Sequence, residues 1–82
     1  EASKVERMFS MLFETFLADL EKGDENSRIY KNYLSSFSRD KLKKYMDDTP
    51  NAGIVRDFIA GMTDDYFNDT FQEIYLPAKR RL

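Results

Sequence analysis

The sequence predicts an all-α fold, a compact bundle of three to four helices forming a single domain over residues 1–82. Three observations carry that prediction. Large apolar residues recur at the three-then-four spacing of one helical face in successive segments. Ser or Thr stands just before several of those segments, where a helix start needs a side-chain acceptor. A hydrophobic fraction of 41%, with 15% aromatic, supplies enough large side chains to fill one core without a metal or a disulfide. A domain of this size buries only roughly 60 to 65% of its unfolded surface, so modest stability and a partner surface are both expected.

The first helix is the clearest element. From Ala2 to Lys22 the apolar stripe runs through Val5, Met8, Phe9, Leu12, Phe13, Phe16, Leu17 and Leu20. Ser3 and Glu6 have the spacing of a capping box, and Gly23 follows as a stop. A wide, Phe-rich stripe of this kind reads as core. The polar link 23–27 lacks the ligand pattern of an EF-hand, because Arg28 and Ser35 occupy two of the required places. A second helix is predicted from Arg28 to Phe37, with Ile29, Tyr30, Tyr33, Leu34 and Phe37 on one face. Ser38 then caps a short helical turn carrying Leu42, Tyr45 and Met46.

Thr49-Pro50 predicts the start of the last helix, with Thr as the cap and Pro at the first helical position. Ile54, Val55, Phe58, Ile59 and Met62 form its first stripe, and Tyr66, Phe67, Phe71, Ile74 and Tyr75 its second. The two stripes do not line up, and Gly61 lies near the changeover. Either the helix is continuous and Gly61 admits a close backbone neighbour, or the helix breaks and Thr63 caps a new one whose first turn holds Asp64 and Asp65. With no proline to enforce a break, the continuous helix is the expectation. It implies that a bulky residue at Gly61 would overpack the fold. Pro77 ends the run, and the terminal Lys79-Arg80-Arg81-Leu82 reads as a frayed basic end.

Composition removes most chemistry. There are 13 Lys+Arg against 15 Asp+Glu, a net charge of -2, which argues against a dedicated nucleic-acid or anionic-membrane binder. The basic run 41–44 beside Tyr45 reads as a solvated helix face, since Asp47 and Asp48 follow at once. With no Cys there is no disulfide, thiolate or cysteine zinc site, which suits a cytoplasmic protein. No stretch is long and apolar enough to span a bilayer. With no His, imidazole bases, triads and His metal clusters are excluded. No catalytic residue and no metal ligand is assigned in this chain, and no activity is expected of it alone.

One stretch says more. Residues 57–66, Asp-Phe-Ile-Ala-Gly-Met-Thr-Asp-Asp-Tyr, resemble the Asp-Tyr-Ile-Ala-Gly-Met-Thr-Asp-x-Tyr helix near the C-terminus of bacterial deoxyguanosinetriphosphate triphosphohydrolases and related HD-domain deoxynucleotide (dNTP) triphosphohydrolases. The likeness is closest over 55–77, and the Phe-rich first helix is similar too. Asp57, Gly61, Met62, Thr63, Asp64 and Tyr66 match the motif position by position. Phe58 stands where Tyr is commoner, and Asp65 and Phe67 also depart from it.

The resemblance implies an excised C-terminal phosphohydrolase-associated domain, an accessory piece without a metal centre. The divalent metal would belong to the parent enzyme's catalytic domain, where the dGTPase family holds it with His and Asp. By the same resemblance the partners are that HD catalytic domain or other subunits, with a deoxynucleotide contact in the parent enzyme. Asp57, Thr63 and Asp64 are then expected to face the rest of the enzyme, pairing with cationic or backbone donors. Gly61 and Met62 are expected at tightly packed places. Two other readings stay open: a stand-alone helical protein-interaction module, and a regulatory domain that senses nucleotide through Arg56, Lys44 and the aromatics.

Overall fold

The computed structural model describes residues 3–76. It is all-α, as the periodicity predicts. Helix α1 (Lys4–Lys22) carries both caps read from the sequence. Ser3 accepts from the Glu6 backbone N–H at 3.1 Å while the Glu6 carboxylate accepts from the Ser3 N–H at 2.9 Å. Gly23 closes the helix at φ 71°, a left-handed conformation that costs an L-residue about 1 kcal/mol. Gly23→Ala is accordingly expected to lower stability by about 1 kcal/mol in denaturant titration, although its Cβ meets no neighbour.

The second predicted helix, 28–37, is not a regular α-helix. It forms one π-helical turn, Ile29–Tyr33, followed by a 3₁₀ turn, Leu34–Ser36. Two causes are visible. Ser35 and Ser36 donate their hydroxyls to the carbonyls of Lys31 and Tyr33, drawing off acceptors that a regular helix uses. Ile29 and Leu34, five residues apart, are both buried, whereas on an α-helix they would point roughly 140° apart. The wider turn lets both reach the core.

Helix α2 (Arg39–Asp48) is capped by Ser38, as expected. Thr49 does not cap the next helix. It closes α2 by donating its backbone N–H to the Tyr45 carbonyl at 2.9 Å, and it is held extended at φ −123°, ψ 126°. Proline's ring disfavours the helical region for the residue before it. Pro50 is therefore the N-cap of α3 (Asn51–Ala60), with no side-chain cap.

The expected continuous helix is also corrected: α3 ends at Ala60 and α4 runs Asp64–Tyr75. Thr63 caps α4, accepting from the Tyr66 N–H at 3.1 Å, with Asp64 and Asp65 in the first turn. The break resolves the misaligned stripes, because each helix turns its own apolar face inward. Gly61 is not a close-packing contact. It sits at φ −85°, ψ −2°, accessible to any residue, and an added Cβ would meet only the Asp57 and Phe58 carbonyl oxygens, at 3.4 and 3.8 Å. Gly61→Ala is expected to change stability by no more than about 0.5 kcal/mol, and Gly61→Leu should not overpack the fold. Thermal melts of the two variants check this.

The core joins Leu12, Phe16 and Leu20 of α1 to Ile54, Val55, Phe58 and Ile59 of α3, with Ile29 and Leu34 from the irregular segment. Phe16 meets Phe58 edge-to-face at 5.1 Å between ring centres. Val5, at the start of the α1 stripe, is 64% exposed and lies outside the core. Two polar groups that the pattern did not mark are buried, Ser27 and Thr70. Thr70 accepts from Arg28 Nη1 at 2.8 Å, and the same guanidinium pairs with Asp69 and Glu73, so Arg28 ties α4 to the irregular segment. Burial alone would lower the Arg28 pKa, but the hydrogen bonds to Glu73 and Asp69 outweigh it and hold the group above its ordinary value. The Pro77 stop and the basic end 79–82 lie outside the described residues.

Candidate functional site

The end of α3, the 61–63 link and the first turn of α4 wall one side of an open cleft of about 420 Å³. Asp57, Gly61, Met62, Thr63 and Tyr66 all line it. The opposite side comes from the π turn, with Asn32 and Tyr33, and the buried Phe58 ring forms part of the wall. Five of the six motif positions thus converge on one concavity. The helix break does this, because the 61–63 link turns the chain where a continuous helix would have spread these residues along its length. Asp64 is the exception. It lines a neighbouring hollow with Val5, Met62, Phe67 and Asn68.

Hydrogen bonds fix the walls. Tyr45 Oη donates to Asp57 Oδ2 at 2.6 Å and lies 2.9 Å from Tyr33 Oη. A phenol has one proton, and Tyr45 spends it on Asp57, so Tyr33 donates to Tyr45. Burial, then the hydrogen bond to Asp57, pushes the Tyr45 pKa up. Asn32 Nδ2 donates to Tyr66 Oη at 2.7 Å, and the Arg28 guanidinium lies 5.2 Å from the centre of the Tyr66 ring. Tyr33 stacks on Phe58 at 5.4 Å, while Phe37 and Tyr45 stack at 5.0 Å. The result is an aromatic cleft with one carboxylate on its wall.

The raised Tyr45 pKa has a measurable sign. An acid whose pKa is higher folded than unfolded contributes stability that is present below its unfolded value, near pH 10, and lost as pH rises further. Tyr45→Phe is expected to flatten the alkaline fall in stability above about pH 10, followed by unfolding against pH with tyrosinate absorbance.

Sequence reading did not place Asn32, Tyr33 or Tyr45 with the motif. In the sequence Tyr33 and Tyr45 read as members of apolar helical faces, and Tyr45 also stands beside the basic run 41–44. Their hydroxyl contacts depend on the π turn, and periodicity does not report that turn. Among the described residues no group of three or more His, Cys, Asp or Glu is arranged to hold a metal ion, and no helix is long and apolar enough to cross a membrane. Arg56 lies elsewhere, beside Phe9, Phe13 and Glu14. Lys44 pairs with Asp48 at 3.2 Å.

Comparison with known families decides the assignment: the family model for the phosphohydrolase-associated domain matches residues 1–73. The chain belongs to that family. No curated protein and no solved structure matches it. A phosphohydrolase-associated domain is one that accompanies HD phosphohydrolases, and the match spans α1, the cleft and most of α4. In this phosphohydrolase-associated domain every residue that lines the aromatic cleft falls within the matched span.

Proposed function

We propose that this chain is the C-terminal accessory domain of a metal-dependent dNTP triphosphohydrolase of the dGTPase type, working in the cytoplasm. In this reading it docks on the HD catalytic domain or at an oligomer interface and supports one side of the nucleotide pocket. The observation that carries the proposal is the convergence of Asp57, Gly61, Met62, Thr63 and Tyr66 on one cleft. Residues that match a family motif, yet leave an open concavity within this chain, suit a surface completed by another part of the enzyme. The chain has no His, which fits a reading in which the catalytic domain holds the metal. Gly61 then has a role that backbone geometry does not give it. It keeps one wall of the cleft free of a side chain.

The complete protein, supplied with a divalent metal and each dNTP in turn, is expected to release the deoxynucleoside and tripolyphosphate. Release of a deoxynucleoside monophosphate and pyrophosphate, or no cleavage of any dNTP, would contradict the proposal. Gly61→Leu, benign for the fold, is expected to lower turnover in the complete protein by about tenfold, the equivalent of roughly 1.4 kcal/mol of lost docking or alignment. Initial-rate measurements check it.

A further inference from the structure

Resting on the reading that the cleft is covered by the phosphohydrolase portion of the complete protein, we propose that its occupant is the guanidinium of an arginine from outside residues 1–82. The cleft presents one charged side chain, Asp57, and no Lys or Arg lines it. Asp57 accepts a hydrogen bond from Tyr45 on Oδ2, and it forms no ion pair among the described residues. A carboxylate with an open oxygen beside aromatic faces suits a flat, delocalised cation, which stacks on a ring and bonds the carboxylate in the same pose. Tyr33 supplies that ring, with its hydroxyl anchored to Tyr45, while Tyr66, held by Asn32, already carries the Arg28 guanidinium 5.2 Å from its ring centre.

A phosphate is the competing occupant, because the N-terminus of α4 opens beside the cleft. That terminus is already served. Thr63 Oγ1 accepts from the Tyr66 N–H, and Asp64 and Asp65 lie in the same turn. Their charges offset the positive helix end and would repel an anion. Lysine fits less well than arginine, since an ammonium is a strongly hydrated point charge with no flat face to lay on a ring.

The test is the structure of the complete protein, with hydrogen exchange on its Asp57→Asn variant. The expected structure has one guanidinium within hydrogen-bond distance of the Asp57 carboxylate. Asp57→Asn is expected to speed exchange about tenfold in the phosphohydrolase segment carrying that arginine, while α1 exchanges as before. A lysine, an apolar side chain, a nucleotide phosphate or solvent in the cleft overturns the inference, as does unchanged exchange outside residues 1–82. Turnover of dNTPs by the same preparation reports on the proposed function separately. A protein that cleaves dNTPs with no arginine in the cleft would overturn this inference alone.

Discussion

Phe16→Ala is expected to destabilise the fold by about 3–5 kcal/mol, close to the whole stability of many domains of this size. Phe16 is 1% exposed, in the middle of α1, and its ring meets Phe58 at 5.1 Å with the planes 76° apart. Removing it opens a cavity where α1 and α3 make the principal helix contact of the domain. Phe58 also walls the cleft, so the loss reaches the candidate site. A conservative Phe16→Leu should recover much of the stability because it leaves a smaller void. Urea titration of both variants checks the order. If Phe16→Ala lost less than about 1 kcal/mol, α1 would not be packed on α3 as described.

The second large effect is expected at Arg28. Arg28→Met should cost about 2–3 kcal/mol, most of it from the buried Thr70 hydroxyl losing its guanidinium donor. The ion pairs contribute less. Asp69 and Glu73 are 48% and 50% exposed, and pairs with that much solvent are worth up to about 1 kcal/mol. A second substitution separates the two sources. Thr70→Val in the Arg28→Met background removes the stranded hydroxyl, and stability is expected to recover by about 1 kcal/mol or more. Asp69→Asn alone should change little. Should the double variant be no more stable than Arg28→Met, the ion pairs and the stacking on Tyr66 would dominate.

These two sites also show what the sequence discloses and what it withholds. Phe16 lies on a periodic stripe, and the capping box at Ser3 and the stop at Gly23 are local signals that need no tertiary information. The α1 boundaries and the helical class were legible for that reason. Arg28 and Thr70 are 42 residues apart, and nothing in the local pattern links them. The π turn at Ile29–Tyr33 was hidden because its residues look apolar at ordinary helical spacing. The joint burial of Ile29 and Leu34, which favours the wider turn together with the Ser35 and Ser36 hydroxyl bonds, is a tertiary fact that the local pattern does not carry.

The break after Ala60 was visible as an alternative but not as the expectation. Thr63 and the two acids after it are a sound capping signal. From the sequence alone, the absence of a proline at the changeover outweighs that signal. In the fold, two separately oriented apolar faces are buried by two helices, and packing decides what local propensity left open. The motif residues were picked out by resemblance, and their convergence on a cleft depends on the break. Tyr45 and Asn32, which orient Asp57 and Tyr66, come from other elements and had no local signature.

On the proposed function, another part of the complete protein covers the cleft. Asn32 is exposed in this domain and lines the cleft, whereas Asp47 lies on the solvated face of α2, 64% exposed and paired with Lys43. The chain has no cysteine, so Asn32→Cys and Asp47→Cys each place one thiol in it. Maleimide labelling of the folded complete protein, read by peptide mass, compares the two positions. The account predicts that Asn32→Cys reacts about tenfold or more slowly than Asp47→Cys, and at a similar rate after denaturation. Equal rates in the folded protein would mean that the cleft faces solvent and would contradict the account.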